Sequence, residues 1–150
     1  SAFACAPIGP AALPLGAALP LASSLAELAA RTAREACIEE THSLAAAMVM
    51  LDGARDPAVR RVLTRIVADE TRHMQLAWRT VAWAVETGGD EVRAAVQSGF
   101  AQGFTPVDEE ADPPAFALAA WGCQRDATLQ AAAELAHRRI VIPAGARLCG

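Results

Sequence analysis

The sequence predicts an all-α protein organised around one long antiparallel helical hairpin. Three observations carry that prediction. Residues 24–51 and 58–87 contain neither Pro nor Gly and are dominated by Ala, Leu, Arg, Glu and Met, all good helix formers. The stretch between them, Asp52-Gly53-Ala54-Arg55-Asp56-Pro57, is too short for anything but neighbouring antiparallel helices. No segment alternates apolar and polar residues as a half-buried strand would.

Residues 1–23 are rich in Pro, Ala, Leu and Gly without helical or strand periodicity, and are expected to form an extended lead-in. A domain is expected over 24–150, with a half bundle at 24–90 and a helical extension at 90–150. Ser24-Leu25-Ala26-Glu27 is a capping box, in which Ser24 meets an early helical amide and Glu27 reaches back. Gly53 is expected to take the left-handed conformation that closes the first helix, with Asp56 capping the second and Pro57 at its first position. Gly88-Gly89 is expected to end the second helix at about Thr87, and Asp90 to cap a short helix running to about Phe100. Residues 104–114 carry Thr105-Pro106, an acidic cluster and Pro113-Pro114, the composition of a solvated loop. Asp126 to Val141 reads as helix, broken by Pro143 and Gly145.

Composition narrows function by exclusion. The chain has 150 residues, 53% of them hydrophobic, and a formal net charge of −4. That is enough for one core. All its positive charge is arginine, and it has no Lys, Asn or Tyr. A mildly acidic chain without basic runs lacks the electrostatic footprint of a nucleic-acid binder. No apolar stretch reaches the ~20 residues of a membrane span, and Ala2 to Leu21 is cut by four prolines. The four cysteines are too far apart for CxxC or zinc-knuckle chemistry, and free thiols are expected.

The chemistry-bearing residues lie on the two long helices. Glu70-Thr71-Arg72-His73 is an ExxH motif whose carboxylate and imidazole share one helical face. Glu70 falls in the apolar stripe of Val59, Val62, Leu63, Ile66, Val67, Met74, Ala77 and Val81, where a carboxylate is costly unless paired, protonated or metal-bound. On the first helix, Glu40 lies in the row of Ala29, Ala33, Ala36, Cys37, Leu44, Ala47, Met48 and Leu51 and is expected to point inward. Glu39 and His42 form a second ExxH, expected on the polar flank and a weaker ligand candidate. Counted from the connection, Glu40 and Glu70 fall within about one helical turn of the same height. Two carboxylates and an imidazole facing one another suit iron or manganese. Glu134 and His137 also have i, i+3 spacing, but they sit on a short segment without a matching inward carboxylate and are not assigned. The methionines, Trp78 and Trp83 are expected to pack between helices.

Glu40 on one long helix, followed by Glu70 and His73 as ExxH on the next, resembles one half of the ferritin-like superfamily of di-iron carboxylate four-helix bundles. Asp69-Glu70-Thr71-Arg72-His73 with Leu76-Ala77-Trp78 and Trp83 resembles bacterial ferritin-like domains, and the resemblance covers about residues 24–90. It implies a metal site at Glu40, Glu70 and His73, di-iron or else manganese, with ferroxidase, oxidase or peroxidase activity. The full pattern takes four carboxylates and two histidines from four helices. The second half is expected from a homodimer or from a helical half preceding Ser1, for which the lead-in would be the crossover; otherwise the site is degenerate. Lacking Tyr, the chain is not expected to store a tyrosyl radical. The competing expectation is a non-catalytic helical scaffold whose inward Glu and His are ion-paired.

Overall fold

The computed structural model of the protein describes residues 21–102 and 121–150. Every element among these residues is helical. They are α1 (Leu25–Thr32), a π-helical turn π1 (Ala33–Ile38), α2 (Glu39–Gly53), α3 (Pro57–Ala101), α4 (Asp126–Ala136), a second π segment π2 (His137–Val141) and α5 (Ile142–Cys149). The lead-in up to residue 20 and the acidic stretch 104–114 lie outside the described residues.

α1, π1 and α2 join end to end through αR junctions as one rod about 40 Å long at ~1.5 Å per residue. Ser24 caps it as expected, its Oγ accepting from the Glu27 amide at 3.1 Å. The Glu27 carboxylate instead takes the Ser23 amide at 2.7 Å and the Ser23 hydroxyl at 2.6 Å. At the other end Gly53 stays helical and Ala54 turns out to extended backbone, contrary to the expected left-handed glycine. The reason is Arg60, whose Nη1 donates to the Leu51 carbonyl at 2.9 Å and the Ala54 carbonyl at 2.8 Å, satisfying oxygens that a left-handed turn would otherwise serve. Asp56 caps α3 by accepting from the Ala58 and Val59 amides, with Pro57 in the first turn.

α3 is two helices in one. Gly89, at φ 63 and ψ −145, breaks it into a long arm (57–88) and a return arm (90–101). The arms fold back on each other. Trp78 and Phe100, on either side of the break, stack with centroids 5.4 Å apart. The return arm lies along the first rod so closely that a Cβ on Gly99 would stand 2.6 Å from the Ala30 carbonyl oxygen, and Arg34 donates to Gln102 at 3.1 Å. The core at this end is Ala29, Ala33, Cys37, Ala77, Val81, Ala84, Val85, Val92 and Val96. Valines buried here stabilise the fold by about 1.5–3 kcal/mol each.

The last rod corrects the sequence reading. Helix does not stop at Val141 but runs on through Pro143 and Gly145 to Cys149. Pro143 falls in the first turn of α5, directly after the wide turn of π2, where the missing amide and the ring are accommodated. Gly145 is needed for contact, since its Cβ would meet the Phe100 ring at 3.2 Å. This rod runs antiparallel to the first. Gly122 lies beside Met50 and Ala54, His137 beside His42, and the Leu148 carbonyl accepts from Arg93 at 3.1 Å. The first rod is therefore covered on two sides, by α3 and by α4 with π2, while α5 packs on α3.

Two further expectations fail. Met48 and Trp83, assigned to helix packing, are more than half exposed. Val62 and Leu76 are also more than half exposed and Ile66 is exposed, so part of the apolar side of α3 faces outward. Cys37, Cys123 and Cys149 are free thiols, as expected. No helix among the described residues is long and apolar enough to cross a membrane.

Gly89→Ala is expected to destabilise the fold by about 1–3 kcal/mol, because a Cβ is strained at this positive φ although nothing crowds the site. Denaturant unfolding checks it. An unchanged midpoint would mean that the chain reverses without that conformation.

Candidate metal centre

Glu40, Glu70 and His73 come together at the edge of the seam between the first rod and the long arm of α3. Ligand atoms of all three lie within 4.8 Å of one another. His73 Nδ1 is 3.7 Å from Glu40 Oε2 and 3.9 Å from Glu70 Oε2. The helical period places Glu70 and His73 one turn apart, and the antiparallel packing brings Glu40 to their height. The three are not sealed in a core: their side chains are 32%, 23% and 58% exposed for Glu40, Glu70 and His73.

Electrostatics at the group are those of two acids held too close. Burial raises the Glu40 pKa above the ordinary carboxylate value, and a hydrogen bond with Glu70 and the charge of Glu70 raise it further, against the opposing pull of His73. Nearby arginines do not relieve this. Arg72 pairs with Asp69 on its own helix. A divalent cation would replace the repulsion by attraction to both oxygens, and the donor set, two carboxylates with one imidazole, fits a hard-to-borderline ion such as iron or manganese.

Glu40 is set in place from below. Next to it, the Thr41 hydroxyl donates to the Cys37 carbonyl at 2.6 Å and accepts from Trp78 Nε1 at 3.3 Å. Thr41 and Cys37 are buried, and burial pushes the Cys37 thiol up to about 12, so this sulfur is a packing group rather than a thiolate ligand. The wide π1 turn retards the helical phase relative to an unbroken α-helix. Beyond it Thr41 and His42 turn inward, while Glu40 stays at the edge. A trough beside the group is lined by Thr32, Ala36, Glu40, His73, Leu76, Ala77 and Thr80.

The second ExxH separates in the structure. Glu39 is exposed, but His42 is 7% exposed, a correction to its expected place on the polar flank. The flank that a two-helix reading leaves to solvent is covered by the last rod. His42 faces His137, with His42 Nε2 and His137 Nδ1 3.3 Å apart, away from the Glu40 group. Sequence reasoning also missed Thr41 and Trp78 as supports of Glu40, a role with no spacing signal of its own. The chain was compared with models of known protein families, with curated proteins and with solved structures, and it matches none of them.

In metal-free protein the raised Glu40 pKa has a definite sign. A carboxyl whose folded pKa lies above its unfolded value contributes stability that is present at low pH and is lost as pH rises through the folded value. Glu40→Gln is therefore expected to raise the thermal midpoint of chelator-treated protein at pH 8, with the gain shrinking toward pH 4. A midpoint that falls at pH 8 would show that ionised Glu40 stabilises the apo fold.

Proposed function

We propose that the protein binds a redox-active transition metal, iron or manganese, through Glu40, Glu70 and His73, as one half of a di-metal carboxylate centre of the ferritin-like kind. The observation that carries this reading is the convergence of these three side chains, from two helices, within 4.8 Å. It sets two carboxylates against each other at a cost that a cation removes.

A pair of such ions would supply one-electron steps to dioxygen or peroxide. The chain's own part is to hold and tune the donors. Glu40 and Glu70 bind as carboxylates and His73 as neutral imidazole, so loading the site displaces the proton that Glu40 favours, and occupancy falls with acid. The hydrogen bonds from Trp78 to Thr41 and from Thr41 to the Cys37 carbonyl fix the backbone beside Glu40 and limit how far its carboxylate moves. The adjoining trough, about 390 Å³, is walled mainly by Ala36, Leu76, Ala77 and two threonine side chains, and suits a small oxidant better than a charged metabolite.

Completion of the site falls to a second copy of the chain. Val62, Ile66, Asp69, His73, Leu76, Thr80 and Trp83 follow one another at alternating steps of four and three along α3, the spacing of a helix-packing seam. Val62, Ile66, Leu76 and Trp83 are exposed, with His73 in their midst. A twofold dimer through this stripe would bring two Glu40, Glu70 and His73 groups toward each other and cover the apolar side chains.

Metal analysis of purified protein tests the reading. Glu70→Ala and His73→Ala are each expected to lose most of the bound iron or manganese, and a chelator to lower the melting temperature of the wild type by several degrees but not that of the variants. Unchanged metal content in both variants would leave the group an ion-paired part of a scaffold. Leu76→Asp with Trp83→Asp is expected to halve the mass in solution and weaken metal retention. A wild-type monomer that still holds metal would remove the second copy from the account.

A further inference from the structure

His42 and His137 bring two imidazoles together outside the Glu40 group. Each closes an ExxH stretch, Glu39-Glu40-Thr41-His42 on the first rod and Glu134-Leu135-Ala136-His137 on the last, although nothing in the sequence links the two. The ring nitrogens, Nε2 of His42 and Nδ1 of His137, are 3.3 Å apart, with centroids separated by 5.4 Å and planes tilted by 52°.

That geometry admits two chemistries. A neutral imidazole has one donor and one acceptor nitrogen, so the pair can share a proton in a hydrogen bond, or it can direct two lone pairs at a single cation. Two nitrogens bound at about 2.05 Å around a tetrahedral ion stand about 3.3–3.4 Å apart, with ring centroids about 5.2 Å apart. The observed spacings lie within a few tenths of an ångström of that arrangement. The rings also sit on two packed helical rods, so little ordering is needed on binding.

The donor type sets this pair apart from the neighbouring centre. Two imidazoles favour zinc, copper or nickel, whereas the oxygen-rich Glu40 group suits iron or manganese. Among the described residues no carboxylate or thiol joins the two rings in a three-ligand group, and Glu39 and Glu134 are exposed. The remaining positions fall to ligands other than a carboxylate or thiol.

We propose that His42 and His137 form a second cation site, for one borderline divalent ion such as zinc or copper, held by two imidazoles from separate helical rods. Such an ion clips the last rod to the first. It joins elements from the two ends of the described chain and stabilises their packing without touching the Glu40 group.

The test uses the full chain, stripped of metal, with His73→Gln as the background. That substitution removes the one nitrogen ligand of the Glu40 group, so the outcome is independent of the di-metal reading. One equivalent of copper(II) added to His73→Gln is expected to give an electron paramagnetic resonance spectrum with coupling to two imidazole nitrogens. Zinc is expected to raise its thermal midpoint by several degrees. Adding His137→Gln should abolish both effects while circular dichroism reports unchanged helicity; His137 is the half-exposed member of the pair, and glutamine can keep a hydrogen bond to His42. Coupling to one nitrogen or none in the His73→Gln protein would overturn the proposal. So would a two-nitrogen spectrum or a zinc shift that survives in the folded double variant.

Discussion

The first rod and the long arm of α3 meet largely through alanine, and the rest of the structure depends on that closeness. Ala29 and Ala33 on one side and Ala77 and Ala84 on the other are buried and bring only a methyl group each to the seam. Gly99 extends the same principle to the return arm, which touches the backbone at Ala30. Small side chains let helix axes approach near the lower end of the usual 8–10 Å. Such close packing favours the meeting of Glu40 on one helix with Glu70 and His73 on the other. The alanines of this seam are therefore a packing device. Larger residues in the seam would hold the helices apart and separate the three ligands.

The second constraint is that the first rod must serve two neighbours at once. Its buried face narrows to Ala29 and Ala33 near the start and widens to Cys37 and Ile38 at the end of the π1 turn and to Thr41 and His42 beyond it. The change of phase divides the polar residues of one short stretch among different surroundings. Glu39 goes to solvent, Glu40 to the seam with α3, and His42 to the last rod. Thr41 ties the division together, giving its proton to a carbonyl within π1 and receiving one from Trp78 across the seam. Neither π segment is isolated, for π1 and π2 touch each other.

Much of the fold was legible in the sequence because its signals are local. The Ser24 and Asp56 caps, the unbroken helical runs and the Gly88-Gly89 break act within a few residues. The candidate site was legible for a similar reason: Glu40 and Glu70 each interrupt an apolar row, and a short connection places them at one height. What could not be read was set by contacts between distant segments. The polar flank assigned to His42 is polar only until the last rod covers it, and that rod was expected to end at Val141 because Pro143 and Gly145 ordinarily break helices. One is tolerated at the exit of a π turn and the other by the ring of Phe100. The outward Met48 and Trp83 show the opposite error, apolar residues counted into a core that the described chain does not close over them.

The central claim is that Glu40, Glu70 and His73 are metal ligands rather than a set of mutually compensating charges. The most direct measurement is anomalous scattering from crystals of the protein grown with iron or manganese, with data collected on both sides of the metal's absorption edge. If the account holds, an anomalous peak lies within bonding distance of the two carboxylates and of His73, with a second such group facing it from the completing half. Crystals that show these side chains in place, at saturating metal, with no anomalous peak among them would contradict it.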